Sequence, residues 1–431
     1  METLLCLSVA LAAGLLLSRF VKPLKLPAVT GYLIAGILIG PYLLGGLGIA
    51  GLGFNSMEQL ETLGIISDVA LGFIAFSIGN EFRLSQLRQN GKQATVIGIV
   101  QAFVASLVVD AALIAVHFIV PDKLSLPVAI TLGAIAAATA PAATLMVVRQ
   151  YKAKGPLTDI LLPIVALDDA VGLVIFAVSF GIARALQDGH IDIVSILVNP
   201  LLEIVGSLAL GALMGWLFTL AEKFFNSNSK RLSLAITFVM LTVGLSMLKI
   251  PLGPATLGFS SLLVCMMLGT VFCNICNFSG EIMEKTDKWT APLFVLFFVL
   301  SGAELELKVF KDGVIVLIGI VYIIARCIGK YFGARESAKA THCTKTIVKY
   351  LGVTLFPQAG VALGMTITAQ ALDANGGTDG ILIRNIILFS VLIYELVGPA
   401  LTRIALTKAG DIKPKEAGGT APVLSDEEEE D

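Results

Sequence analysis

The chain has 431 residues, of which 56% are hydrophobic and 14% charged, and its mean hydropathy is +0.89. Soluble domains carry roughly a quarter charged residues, so a water-soluble fold is excluded. The net charge of −2, with basic residues in short clusters between apolar runs, leaves no basic face for a nucleic acid.

Apolar runs and breaker residues divide the sequence into about thirteen spans, at 3–19, 27–44, 61–80, 94–119, 126–148, 157–183, 197–221, 232–248, 256–274, 290–306, 313–333, 347–371 and 383–407. Runs of this length cross a hydrocarbon core of about 30 Å as helices, which predicts an all-α polytopic membrane protein. The first span lacks a basic leader region and runs into Arg19, Lys22 and Lys25 instead of a small-residue cleavage site, so it reads as a retained helix. Lys and Arg then gather on alternate loops, 22 on one side and 6 on the other, with Arg326 and Lys330 inside a span. Basic loops stay cytoplasmic, which places the N-terminus outside and the C-terminus inside.

The fifth span contains Ala137-Ala-Thr139-Ala140-Pro141-Ala-Ala-Thr144. Pro141 removes a backbone donor and disfavours helical geometry at Ala140, while Thr139 and Thr144 can satisfy freed backbone groups. A discontinuous helix is expected there, with an ordinary proline kink as the alternative. In the sixth span Asp168 and Asp169 are adjacent in an apolar run. A charge at the bilayer centre costs about 2.5–3.5 kcal/mol on insertion scales, so two acids together need a partner, a cavity or a job. Successive helix positions point about 100° apart, which lets one acid take an ion while the other meets a partner or water. Such a site can hold either protons or a small cation; a structural ion pair is the plainer alternative.

The eleventh span carries Arg326 and Lys330, which can offset the dipoles of broken helices or pair with an acid. Snorkelling to the cytoplasmic interface is the alternative, closer to hand for Lys330 than for Arg326. The twelfth span is interrupted at Phe356-Pro357-Gln358-Ala-Gly360, matching the fifth. Paired interruptions are the sign of inverted repeats with a midplane site. The single acids Asp68, Asp110, Glu203 and Glu395 read mainly as hydrogen-bonding partners of neighbouring helices, and Gln101 and Gln358 could line a cavity. The six cysteines lie mostly within or at the ends of apolar runs and suggest no disulfide framework; Cys273 and Cys276 have CxxC spacing without a second ligand pair for zinc. Residues 1–410 form the transmembrane domain, and 411–431, ending in Ser425-Asp-Glu-Glu-Glu-Glu-Asp431, read as a disordered acidic cytoplasmic tail.

These residues together resemble the monovalent cation:proton antiporter superfamily, in particular its bacterial branch of Kef-type potassium and NapA-type sodium antiporters, over about residues 5 to 410. Pro27-Ala-Val-Thr-Gly31-Tyr-Leu-Ile-Ala-Gly36-Ile-Leu-Ile-Gly40-Pro41 looks like that branch's second-helix signature, and Leu71-Gly-Phe-Ile-Ala-Phe-Ser-Ile-Gly79-Asn-Glu81 resembles its third-helix pattern. Thr139-Ala140-Pro141 matches the crossed broken helix, Asp168-Asp169 the acid pair, and Phe297-Phe-Val-Leu-Ser301-Gly302-Ala-Glu304 a later helix. The resemblance implies about thirteen transmembrane helices in inverted repeats, with a core domain of two crossed broken helices, a dimerisation domain, and elevator-like movement of the core. It makes Asp169 the principal cation ligand, with Thr139 and Ala140 beside it, and places a basic residue facing the acids: Arg326, with Asp168 as its alternative partner, falls on that position, and whether Arg326 or Lys330 takes the role stays open. The stretch 356–360 departs from the family in lacking the Arg and Glu often found there, and Ala140 stands where some relatives have an acid.

The function expected is secondary active antiport of sodium, or potassium, against protons. It would be electrogenic, need no cofactor, and be carried out by a homodimer in the inner membrane. A sodium-coupled organic-anion symporter of related fold would need a larger polar cavity. An intramembrane aspartyl protease places its two acids on separate helices, whereas Asp168 and Asp169 are consecutive.

Overall fold

The computed structural model describes residues 2–24, 26–49, 51–140, 144, 147–148, 151–187, 199–225, 227–248, 250–252, 255–373 and 377–412. In chain order its helices are α1 (Glu2–Val21), α2 (Ala28–Ile39), α3 (Met57–Thr62), α4 (Gly64–Glu81), α5 (Leu84–Ile119), α6 (Leu126–Ile135), α7 (Pro156–Gln187), α8 (Asn199–Glu222) and α9 (Asn228–Ser246). A short antiparallel hairpin, β1 (Ile250–Leu252) and β2 (Ala255–Leu257), precedes α10 (Ser261–Ile275), α11 (Ser279–Ala303), α12 (Gly313–Ala340), α13 (Lys345–Thr354), α14 (Gly360–Ala369) and α15 (Asp379–Ala409). Every predicted span holds a helix, and the fifth and twelfth each hold one that stops part-way. Among the described residues seven helices are long and apolar enough to cross a membrane: α1, α5, α7, α8, α9, α12 and α15.

Local chemistry sets where these helices begin and end. Ser125 caps α6 by accepting from the Val128 N–H, with Pro127 in the first turn where no donor is needed. Asp312 caps α12 by accepting from the Val314 N–H at 3.0 Å. Gly410 closes α15 in the left-handed conformation, φ 87°, which a side chain rarely tolerates. Along α12, Leu317, Ile320, Ile324, Ile328 and Phe332 are exposed at spacings of three and four, one lipid-facing stripe.

The helices fall into related sets. In the first, α5 and α7 flank α6; in the second, α12 and α15 flank α13 and α14. The two sets interlock because α5 lies along α12. A side chain at Gly329 would strike the Ala105 Cα, and one at Gly333 the Gln101 Cα. The Gly329-x-x-x-Gly333 pair therefore lets the two backbones touch. Polar contacts also respect the expected alternation of loops. Lys123 pairs with Asp312, Ser125 with Asp379 and Gln187 with the Leu372 carbonyl oxygen at one end; Gln93 meets the Thr341 carbonyl oxygen and Thr158 meets Asp411 at the other.

The acidic tail expected from 411 lies outside the described residues from 413 onward. Asp411 and Ile412 themselves are buried. The Asp411 carboxylate accepts from the Thr158 N–H at 2.7 Å and the Thr158 hydroxyl at 2.8 Å, while the Lys154 N–H donates to its carbonyl oxygen. Thr158 is in the first turn of α7, so Asp411, just past α15, caps the helix that carries the two acids. The folded part thus extends past the boundary expected at 410.

Candidate functional site

Two interruptions meet inside the main hydrophobic core. Helix α6 stops at Ile135, and residues 136–140 leave the helix; α13 stops at Thr354, and the chain stays non-helical until α14 begins at Gly360. The Ala140 N–H donates to the Pro357 carbonyl oxygen at 2.9 Å. Thr144 donates to the Thr354 carbonyl oxygen at 3.3 Å, and the Thr139 hydroxyl oxygen lies 3.4 Å from the Leu355 carbonyl oxygen. Each interruption therefore satisfies part of the other's backbone, as unwound segments buried in protein must. Pro141, the sequence-level cause of the first break, lies outside the described residues; Pro357 and Gln358 are in the second. Gln358 donates to the Ile135 carbonyl oxygen at 2.9 Å and exchanges hydrogen bonds with the Tyr322 hydroxyl.

Both α6 and α13 arrive at this crossing by their C-terminal ends, which concentrate unsatisfied carbonyls and partial negative charge. Two cations on α12 answer it. Arg326 donates to the carbonyl oxygens of Ala136 (3.0 Å), Ala138 (2.6 Å) and Phe356 (2.6 Å), so one guanidinium fork ties the two breaks together. The Tyr394 ring covers it, 4.7 Å from Cζ to the centroid. Lys330, one helical turn further on, donates to the Ala137 carbonyl oxygen, to the Thr139 hydroxyl at 2.9 Å and to Asp168 at 2.7 Å.

Asp168 thus meets Lys330, not Arg326. Of the two cations left open for the role of facing the acids, it is Lys330 that reaches Asp168, and neither snorkels: both cations and both acids are 0% exposed. The reason is depth along α12, because Arg326 sits level with the helix ends and Lys330 with the acids. The other contacts of Asp168 are hydrogen bonds donated by Thr139 and Gln101. Asp169 is equally buried. Thr139 touches Asp168 and Lys330 directly, whereas the Ala140 N–H serves the crossing itself.

Burying an ion pair is expensive, and the pair persists only when hydrogen bonds satisfy both partners. Here they do. The arrangement is a carboxylate held by an internal ammonium, with a second carboxylate one position along and carbonyl-rich helix ends beside it. A small cation entering it would meet Lys330 as a competitor.

The model of the sodium/hydrogen exchanger transmembrane family matches residues 7–407. The chain belongs to that family. Among curated exchangers it is similar to the Na(+)/H(+) antiporter NhaS4 of Synechocystis sp., at 26% identity over 79% of this chain and 81% of that one. It is also similar to the high-affinity Na(+)/H(+) antiporter NhaS3 of the same organism, at 23% identity over 88% and 84%. Among solved structures, the sodium proton antiporter MjNhaP1 from Methanocaldococcus jannaschii superposes with a TM-score of 0.72 over 95% of this chain and 99% of that one, at 18% identity. That likeness carries the exchanger fold, and the family is one of transporters.

Sequence reasoning missed several parts of this exchanger's site. Tyr322 and Tyr394 look like ordinary apolar-span aromatics until the fold brings them to Gln358 and Arg326. The Gly329-x-x-x-Gly333 spacing was the available signal for the α5–α12 contact, and Gln101, expected only to line a cavity, donates to Asp168. Of the single acids, Asp110 stands against Gly133, where any side chain would strike its carboxylate, and Glu395 is buried on α15.

Proposed function

We propose that the chain exchanges sodium for protons, with Asp168 and Asp169 as the shared binding site. The observation that carries this reading is the fully buried Lys330–Asp168 pair, 2.7 Å, at the crossing of two interrupted helices. Without cargo, the Lys330 ammonium neutralises Asp168 and a proton neutralises Asp169. A dehydrated cation entering between the acids takes over the work of both. Lys330 then gives up its hold on Asp168, and its proton and that of Asp169 leave as the cation binds.

Two protons for one monovalent ion moves net charge, so the exchange is electrogenic and responds to membrane potential, at about 2.3 kcal/mol per charge per 100 mV. Potassium is the second candidate cargo. Alternating access comes from movement of the crossing and its flanking helices relative to α2, α4 and α8–α11, with a homodimer in the inner membrane, the N-terminus outside and the C-terminus in the cytoplasm. The similarity to two Na(+)/H(+) antiporters, NhaS4 and NhaS3, supports sodium as the first choice.

The test is the purified chain in proteoliposomes with an imposed pH gradient, offered sodium, lithium and potassium side by side between pH 6 and 9. Sodium-dependent proton movement is expected, stimulated by a membrane potential of the right sign. No cation-dependent proton movement anywhere in that range removes the proposal.

A further inference from the structure

The exchange scheme leaves one polar group beside the acid unused. Gln101, on α5, is fully buried. Its Nε2 donates to Asp168 Oδ1 and, at 3.0 Å, to the Gly98 carbonyl oxygen. Both partners only accept, so turning the amide round would lose both bonds, and its orientation is fixed by chemistry.

The consequence falls on the other end of the amide. Gln101 Oε1 is buried with no hydrogen-bond partner among the described residues. A buried acceptor left unmet costs about 1–3 kcal/mol, and such groups are rare enough in folded proteins that each calls for a reason. Lys330 cannot supply the missing proton, because its three go to Ala137, Thr139 and Asp168.

Position supplies the reason. Covalent geometry holds Oε1 about 2.2 Å from Nε2, which leaves it within about 5 Å of the Asp168 carboxylate to which Nε2 donates. A hard cation with oxygen ligands at about 2.4 Å bridges two oxygens up to about 4.8 Å apart. The side chain is also held firmly, since Gly333 presses α12 onto the Gln101 backbone and the Leu167 side chain fills the space at Gly98.

We infer that Gln101 is a specificity-determining ligand of the transported cation: its carbonyl oxygen joins Asp168 in the oxygen shell while its nitrogen holds that carboxylate in place. This rests on the antiport reading above. A neutral oxygen at a fixed distance replaces one water of hydration and sorts cations by how well they span the gap. Being neutral, it does so without adding a proton site.

Gln101→Met, close in volume and lacking both polar ends, tests this in proteoliposomes against the parent chain. The apparent KM for sodium is expected to rise about tenfold, equivalent to about 1.4 kcal/mol, and the ratio of KM values for sodium, lithium and potassium to change at least threefold. Sodium-dependent thermal stabilisation of the purified protein should weaken in parallel, a readout that needs no turnover. Unchanged KM values overturn the inference. So does a rise by one common factor for all three cations with a displaced pH profile, which is what a residue that only positions Asp168 would give. If Gln101→Met does not fold, Gln101→Asn, which retracts the carbonyl by one methylene, is read by the same ratio, and an unaltered ratio again overturns it. A parent chain without cation-coupled proton movement removes the antiport reading, whereas an active parent with an indifferent variant removes only the role of Gln101.

Discussion

Replacing Lys330 by alanine tests the central pair. The ammonium makes three hydrogen bonds, to Ala137, Thr139 and Asp168, with every partner buried. Removing one member of a buried ion pair leaves an uncompensated charge and costs about 3–5 kcal/mol. The loss should appear as a fall of several degrees in the melting temperature of the purified protein in choline chloride. On the proposed exchange sodium takes the space beside Asp168 in place of the ammonium, so sodium chloride should restore more stability to Lys330→Ala than it adds to the parent. Ligand linkage gives about 2.7 kcal/mol at a hundredfold excess over Kd, enough to recover over half of the deficit. The measurement is a pair of thermal melts, each with sodium or choline at matched ionic strength. A variant as stable as its parent, or one that sodium rescues no better than choline, would refute the idea that the ammonium and the cargo compete for one carboxylate.

Asp169→Asn should leave the protein folded and abolish sodium-dependent proton movement in liposomes. Arg326→Lys should destabilise more than its conserved charge suggests, by about 2–4 kcal/mol in thermal melts, because an ammonium cannot span three carbonyls of two segments and charged hydrogen bonds are worth about 1.5–3 kcal/mol each. Asp411→Ala removes the cap on α7 and should lower stability by about 1 kcal/mol while transport persists at reduced temperature tolerance. The exposed Lys123–Asp312 pair gives a pH control: the hydrogen bond between them, aided by their opposite charges, holds Asp312 below its ordinary pKa and Lys123 above its own. The aspartate's contribution is present above the ordinary Asp pKa and is lost as pH falls through the lowered value. The lysine's is present below the ordinary Lys pKa and is lost as pH rises through the raised one. Lys123→Ala should therefore not alter the shape of a pH 6–9 transport profile.

The two interruptions were legible in the sequence because proline and its neighbours break a helix wherever it lies, and Pro357 does so whatever surrounds it. The acids were legible as charges in an apolar run. The partner of each charge was not, because Arg326 and Lys330 are one turn apart on a single face, and which one reaches Asp168 depends on how deep α12 sits beside α7. That depth is set by α5, pressed against Gly329 and Gly333, a contact between residues more than two hundred positions apart. Asp411 was misread for a related reason: an acid at the edge of a charged tail looks solvated until the start of α7 is seen to need a cap.

The approach of α6 and α13 by their C-terminal ends bears on how the proposed exchange would respond to voltage. With both C-terminal ends at the crossing and ten residues in each half-helix, the two peptide dipoles oppose one another there. In the movement proposed above the backbone carries no net charge across the field, so shifting the crossing would perform almost no work on it. On the proposed exchange, a response to an applied potential would come from formal charges: Asp168, Asp169, Arg326, Lys330 and the ion they carry.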